Sequence, residues 1–305
     1  MVRATLKANV HIPDGFLSTP VWAALDAAVA PIIGYVVRLA QRGFDDAKVP
    51  LLGVMGAFVF AAQMINFPVG IGTSGHLVGG ALLACTLGPA AACVVMSAIL
   101  AIQALVFQDG GILALGANVI NMAIVGVLAG YLPYHLWGRS RGRRAAIFAG
   151  GALSVAVSAL LALAELLISG VRMPASVLGV SLALFLVSAL IEGAITMTVM
   201  GALEAIQPNF VRQPAAGGRY ALVAAGLAAV LLAAGGVVFA STAPDGIARL
   251  ARQTGISGHA RTLISTPFKN YEASWLGAGW LAQAGAGLVG LALVGGVCAL
   301  IGRKR

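Results

Sequence analysis

Two of the four histidines in this sequence lie in short polar segments that adjoin long apolar runs. His11 lies in "NVHIPDGFLS", ahead of the first run, and His76 lies in "NFPVGIGTSGHLVGG", between the second and third runs. Neutral imidazole is the commonest protein ligand for nickel, cobalt, copper and zinc. A single histidine in such a place is more often structural, but this pair indicates a candidate metal site. His135 and His259 are weaker candidates, because one ends an apolar run and the other lies in a later loop.

The composition is that of a polytopic α-helical membrane protein. Of 305 residues, 60% are hydrophobic and only 10% are charged, whereas soluble domains carry far more charge. The apolar residues form runs near the ~20 residues that a helical span needs, which excludes soluble proteins and β-barrels. The net charge of +9 indicates basic cytoplasmic loops rather than a nucleic-acid partner. The three cysteines lie inside apolar runs without CxxC spacing, so we expect them to pack in the core.

Nine apolar segments predict about nine transmembrane helices, arranged as seven plus two. If the N-terminus lies outside, most Lys and Arg residues fall on the inner side, above all in "GRSRGRR" at 138–144. The positive-inside rule therefore predicts an external N-terminus and a cytoplasmic C-terminus. The approximate bounds of the segments are 21–41, 49–67, 76–88, 89–108, 113–137, 145–168, 176–204, 220–241 and 276–301.

Several polar side chains interrupt these spans, mostly in their outer halves. Such groups are costly in a bilayer unless they are paired. Hydrogen bonds between packed helices explain any one of them, whereas the group as a whole indicates a polar site near the outer face. The outer residues are Asp26, Gln63, Asn66, Gln103, Asn118, Asn121 and Glu165, while Glu192 lies in the middle of its span.

Three motifs in the seven-span part carry a family resemblance. They are "HIPDGFLS", "FVFAAQMINFPVGIGTSGHLVGG" and "FQDGGILALGANVINM", and they resemble the M component, NikM/CbiM, of nickel and cobalt energy-coupling-factor transporters. The resemblance covers residues 11–208. It implies a multi-pass protein of a bacterial or archaeal cytoplasmic membrane that captures Ni2+ or Co2+ outside and releases it inside.

The resemblance also implies partners, namely a transmembrane coupling subunit, called the T component, and two ATPase subunits. The sequence contains no G-x-x-x-x-G-K-[ST] phosphate loop. We therefore expect a transporter subunit that neither binds ATP nor acts as an enzyme.

In that family the transported metal is held by a near-planar set of four nitrogen donors. The resemblance implies the terminal amine, the backbone nitrogen and ring of the next residue, which is His11 here, and the ring of His76. Amine, amide and imidazole donors of adjacent residues close five- and six-membered chelate rings, and planar nitrogen ligation suits Ni(II) or Cu(II). Binding should weaken on acidification. Supporting hydrogen bonds are expected from four further side chains, those of Gln63, Asn66, Ser74 and Asn118.

The ten residues before His11 depart from the family pattern. A terminal amine so far upstream cannot close the five-membered ring, so we expect residues 1–10 to be removed or never translated. A GTG codon is read as Val internally but as Met when it initiates. Our hypothesis is that translation starts at position 10, where Val10 would be replaced by Met.

This hypothesis predicts the mass of the protein isolated from its native host. Intact mass spectrometry or N-terminal sequencing should show a chain that begins with Met in place of Val10. A chain that retains "MVRATLKAN" would contradict it.

The rest of the chain resembles the small N component of the same transporters. A cytoplasmic linker at 209–219 precedes a two-helix domain, 220–305, whose outer loop at 242–275 contains "STAPDGIARLA" and "STPFKNYEASWLG". The N component is often marked by Pro-Asp-Gly-Leu-Glu, but Ile and Ala follow Pro-Asp-Gly at 244–246 here. The fusion favours nickel over cobalt, and we expect this domain to act as a partner rather than to provide metal ligands.

Two other functions stay open. A vitamin-binding subunit of the same transporter class is the first, although two histidine-bearing outer segments and few aromatic residues favour a metal. The second is an intramembrane serine protease, because "GTSG" at 72–75 resembles the segment around the nucleophile of rhomboid-type proteases, with Ser74 as the nucleophile. That mechanism needs a base histidine on a later span within hydrogen-bond reach, and His135 is predicted near the opposite face.

Overall fold

The computed structural model describes residues 11–43, 49–70, 72–208, 210, 219–277 and 279–302. This part of the chain is mostly helical and contains one antiparallel two-stranded hairpin. Its elements are α1 (Thr19–Gly43), α2 (Val49–Gln63), β1 (Asn66–Gly70), β2 (Thr73–His76), α3 (Gly80–Leu87), α4 (Pro89–Phe107), α5 (Leu115–Trp137), α6 (Arg143–Ile168), α7 (Ala175–Ile206), α8 (Arg219–Gly235), α9 (Gly246–Thr254) and α10 (Trp280–Gly302). Short 3-10 turns follow at Gly236–Phe239, Ile256–His259, Lys269–Tyr271 and Ser274–Leu276.

Six of the described helices are long and apolar enough to cross a membrane, namely α1, α4, α5, α6, α7 and α10. The helical membrane class is therefore confirmed. Two more predicted spans form the shorter apolar helices α2 and α8. The predicted segment 76–88 yields only α3, whose eight residues extend about 12 Å, far less than the ~30 Å hydrocarbon core. Gly79, with φ of 77°, lies just before this helix, and Gly88, with φ of 83°, lies just after it.

Two π-helical turns widen the helices that lie next to the N-terminal segment. One ends α4 at Gln103–Phe107, and the other lies within α5 at Val119–Val125. Such turns disturb the regular backbone ladder and are frequent at functional sites. The Ser158 hydroxyl of α6 donates to the Asn121 carbonyl over 2.9 Å, so a neighbouring helix helps to satisfy the widened turn.

Small residues allow the central helices to approach closely. A Cβ atom on Gly150 of α6 would lie 2.3 Å from the carbonyl oxygen of Gly130 on α5. Where α6 packs against α7, a Cβ on Gly193 of α7 would lie 2.6 Å from the Phe148 carbonyl oxygen of α6. Close backbone contact of this kind replaces the hydrophobic driving force that packs helices in water.

The C-terminal segment that was predicted as a two-helix domain contains α8, α9 and α10, and it packs directly on the remainder of the protein. Both α8 and α10 contact α2, and a Cβ on Gly290 of α10 would lie 2.2 Å from the Phe60 ring. On the other side of the molecule, Ile247 and Leu250 of α9 share a buried apolar cluster with Ile12. The expected segments 1–10 and 209–219 lie wholly or almost wholly outside the described residues.

The contact between α5 and α6 predicts a matched pair of glycine variants. Gly150→Ala should lower the free energy of unfolding by about 1–3 kcal/mol, because the methyl group overlaps the Gly130 carbonyl. Gly201→Ala on α7 is the control, since nothing lies within 4 Å of its Cβ position, and it should be neutral or stabilising by up to ~1 kcal/mol. Thermal unfolding in detergent measures both variants, and equal melting temperatures would contradict the packing.

Candidate metal centre

The N-terminal segment is held by an amide side chain of α5 that mimics a peptide group. The side-chain oxygen of Asn118 accepts the backbone N–H of Ile12 over 2.8 Å, and the side-chain nitrogen of Asn118 donates to the Ile12 carbonyl over 3.1 Å. The Ile12 carbonyl also accepts the Gly111 N–H over 2.9 Å. His11, one residue upstream, is only 1% exposed. Asn118 therefore fixes the backbone from which the His11 ring extends.

Asp14 anchors the next part of this segment. Its carboxylate accepts the backbone N–H groups of Ile112 and Leu113 over 3.0 and 2.7 Å. Gly15 follows with φ of 90°, and a Cβ there would lie 2.0 Å from the His259 carbonyl oxygen. Only glycine suits both the left-handed backbone and the close contact, so Asp14 and Gly15 turn the chain back toward the bundle.

His76 ends the hairpin that forms the opposite wall. Its Cα pairs with that of Asn66 across the two strands. The Leu77 carbonyl lies 2.7 Å from His76 Nδ1, and because a carbonyl only accepts, Nδ1 carries the proton and Nε2 carries the lone pair. Burial, followed by the charge of His11, lowers the pKa of His76 to about 4. The ring is therefore neutral near pH 7, as a metal ligand must be.

A carboxylate from the middle of α7 supports the backbone just after His76. Glu192 accepts the N–H groups of Val78 and Gly79, each over 2.8 Å. Gln63 donates to the Val78 carbonyl over 2.7 Å and itself accepts from Gln103 over 2.8 Å. Glu192 and the two glutamines thus hold the loop backbone, and none of these bonds involves an imidazole.

The rings of His11 and His76 meet although 64 residues separate them in the sequence. Their centroids are 5.5 Å apart and their planes differ by 28°. A metal ion bound through a ring nitrogen at ~2.0 Å lies about 3 Å from that ring's centroid, so one ion can reach both rings. The described residues contain no group of three or more His, Cys, Asp or Glu side chains arranged to hold a metal. The planar set that the resemblance implies would therefore need donors other than the side chains of these described residues.

Asp109, between α4 and α5, contacts the His11 ring directly. Its Oδ1 lies 3.2 Å from His11 Nδ1, and its Oδ2 accepts the Tyr271 hydroxyl over 2.6 Å. Burial alone would raise the pKa of this carboxyl, but the contacts with His11 and Tyr271 outweigh it and lower the pKa below its usual value. A metal-binding histidine usually donates its second ring N–H to such a group.

The orientation of the His11 ring bears on the expected chelate. A six-membered ring through the backbone nitrogen closes at Nδ1, which faces Asp109 in the structure, while Nε2 is buried without a hydrogen-bond partner among the described residues. Chelation therefore requires the ring to turn over about Cβ–Cγ. That turn exchanges Nδ1 with Cδ2 and Nε2 with Cε1, so Nε2 then lies on the edge of the ring that faces Asp109.

The other expected site residues occupy different surroundings. Ser74 donates its hydroxyl to the Ala243 carbonyl over 2.7 Å, so it supports the contact with the two-helix domain rather than an imidazole. The same bond commits the hydroxyl proton to the backbone, which disfavours a nucleophilic serine. His135 and His259 are exposed and take no part in the site. Val10 lies outside the described residues.

Sequence reasoning missed Asp109 and Tyr271 as parts of this centre. Asp109 occurs in the quoted motif "FQDGGILALGANVINM" and follows the end of a predicted span, which was an available signal. Nothing in the local sequence marks Tyr271. A cavity of about 980 Å3 elsewhere in the protein, lined among others by Leu39, Tyr131 and His135, contains none of the site residues.

Comparison with known proteins gives a consistent result. The family model CbiM, described as cobalt uptake substrate-specific transmembrane region, matches residues 11–210. A putative fused nickel transport protein, NikMN, of Archaeoglobus fulgidus is 42% identical over 219 residues, which cover 70% of this chain and 72% of that protein. A putative metal transport protein of Haloquadratum walsbyi is 41% identical over 206 residues, covering 66% of this chain and 93% of that protein.

A solved structure described as a truncated transition metal transporter superposes on this chain with a TM-score of 0.57 and 34% sequence identity. The match covers 64% of this chain and 98% of that one. At this identity the likeness extends to both the fold and the sequence of the matched part.

The role of Glu192 predicts that a neutral amide cannot replace it. In Glu192→Gln the amide nitrogen would face one of the two N–H groups that the carboxylate accepts. The lost acceptor should cost about 1–3 kcal/mol of stability and speed hydrogen exchange at Val78 and Gly79. Glu204→Gln is the control, since Glu204 pairs with Arg143 at a partly exposed site and should cost at most ~1 kcal/mol. If Glu192→Gln and Glu204→Gln lost the same amount of stability, the interpretation of Glu192 would be wrong.

Proposed function

The chain belongs to the CbiM family of cobalt-uptake substrate-specific transmembrane regions, and we propose that it is the substrate-capture subunit of an energy-coupling-factor importer for a divalent transition metal. Membership of this family confirms the resemblance found in the sequence motifs. The single observation that carries the proposal is the meeting of the buried His11 and His76 rings, with centroids 5.5 Å apart.

The structure suits capture of a metal rather than catalysis. His76 is neutral and offers Nε2, while His11 offers a ring nitrogen and its backbone nitrogen, so the donors are all nitrogen. Such donors suit nickel, cobalt and copper better than magnesium or calcium. Each ring extends from backbone that a side chain of another helix holds, by Asn118 for His11 and by Glu192 for the His76 loop. The metal is the transported substrate and undergoes no chemical change.

The finer parts of the proposal concern cargo, partners and orientation. The fusion of two units, together with a relative named as a fused nickel transport protein, supports nickel over cobalt. Energy would come from a T component and two ATPase subunits on separate chains. The excess of basic residues in the loop at 138–144 supports an external N-terminus in a cytoplasmic membrane, which places both histidines at the outer face.

Metal uptake by the complete transporter tests the proposal. His11→Ala and His76→Ala should each reduce Ni2+ accumulation by at least tenfold, because each removes a donor from the cargo ion. His135→Ala and His259→Ala are matched controls on exposed histidines and should transport like wild type. Accumulation of radioactive Ni2+ and Co2+ is measured in parallel, which also establishes the preferred cargo. If both site variants accumulated metal like the parent, the site assignment would be wrong.

A further inference from the structure

Tyr271 belongs to the two-helix domain, yet its hydroxyl reaches the metal centre. It lies in the loop between α9 and α10 and donates to Asp109 Oδ2 over 2.6 Å. The other oxygen of the same carboxylate contacts His11 Nδ1 over 3.2 Å. The three side chains form a continuous hydrogen-bonded path from the loop of the two-helix domain to a proposed metal ligand.

The position of Tyr271 is set by packing as well as by this bond. Its ring stacks on Phe107, with centroids 4.8 Å apart and planes within 14° of parallel, and lies 6.1 Å from the Phe60 ring. Thr266, earlier in the loop, donates to the Val106 carbonyl over 2.5 Å. The loop is therefore seated on the end of α4, immediately before Asp109.

The backbone at this point adopts a conformation that few residues tolerate. Asn270 and Tyr271 have φ of 56° and 59°, in the left-handed region that non-glycine residues seldom enter. Neither is glycine, so the surrounding contacts must stabilise the turn. The result of the turn is that the phenol hydroxyl points at the Asp109 carboxylate.

We propose that Tyr271 is a positioning residue for metal capture, which orients the His11 ring by holding the Asp109 carboxylate. This inference rests on the proposed function. With Oδ2 fixed by the phenol, Oδ1 is held against the edge of the His11 ring that carries Nδ1. Partners of this outer kind typically change metal affinity by about tenfold to a hundredfold when they are removed. The two-helix domain thereby contributes to affinity without providing a metal ligand.

Tyr271→Phe isolates the hydroxyl, because the remaining ring can keep its stack on Phe107. We expect the Kd for Ni2+ of the full chain to rise about tenfold. The melting temperature of the metal-free protein should fall only modestly, because the buried Asp109 Oδ2 loses one donor. In the complete transporter, the Ni2+ concentration for half-maximal uptake should rise while the maximal rate stays the same. Tyr220→Phe is the matched control, since Tyr220 is 78% exposed, and it should behave like wild type.

A double-mutant cycle tests whether Tyr271 acts through Asp109. In an Asp109→Asn background, Tyr271→Phe should change the Kd by less than twofold. The inference is overturned if Tyr271→Phe binds Ni2+ as tightly as wild type or more tightly. It is also overturned if Tyr271→Phe has the same effect on the Kd in the Asp109→Asn background as in wild type.

Failure of this inference is distinguishable from failure of the proposed function. Wild type that binds no metal, or that binds it without His11 and His76, would remove the proposed function itself. Binding that depends on both histidines but not on the Tyr271 hydroxyl would remove only the positioning role.

Discussion

Irregular backbone inside a helical membrane protein must find its hydrogen-bond partners within the protein. Both histidines adjoin such backbone, and the neighbouring helices satisfy it with polar side chains. Asn118 pairs with both polar groups of Ile12, and Glu192 accepts two N–H groups beyond His76. Asn118 and Glu192 therefore act as partners for backbone, whereas Asn121 and Glu165 pair with each other. Asn118 and Glu192 make the two histidine-bearing segments rigid enough to meet, and the remaining features of the centre depend on that.

The two-helix domain also provides hydrogen-bond partners for the irregular backbone near the two histidines. Backbone of the Pro-Asp-Gly segment continues the hairpin, because the Ser74 N–H donates to the Pro244 carbonyl over 2.9 Å. The Arg261 N–H donates to the Asp14 carbonyl over 3.0 Å. Asp245 caps α9 by accepting the Ala248 N–H over 2.7 Å. The segment that resembles the N component thus contacts both histidine-bearing segments.

Composition and apolar runs were sufficient to predict the helical membrane class. Two polar segments indicated His11 and His76 as candidates, and the structure brings their rings to 5.5 Å between centroids. The length of α3 was harder to predict, since it depends on the left-handed backbone at Gly79 and Gly88. Asp109 was visible in a quoted motif, but its partner lies 162 residues away. No local sequence pattern predicts a contact between two residues so far apart. The left-handed turn at Tyr271 contains no glycine, so the sequence does not indicate that turn. The roles that escaped prediction all belong to contacts between distant segments.

Donor chemistry alone does not select one metal at such a centre. Nitrogen donors bind copper more tightly than nickel, and nickel more tightly than cobalt, so selection has to come from geometry. The three cysteines are buried and lie outside the described centre, so on the proposed function the donors are nitrogen atoms. Geometry here is held by Asn118, Glu192 and Asp109, none of which needs to touch the ion. On the proposed function, the side chains that determine which metal is carried are therefore the ones that hold the ligands in place.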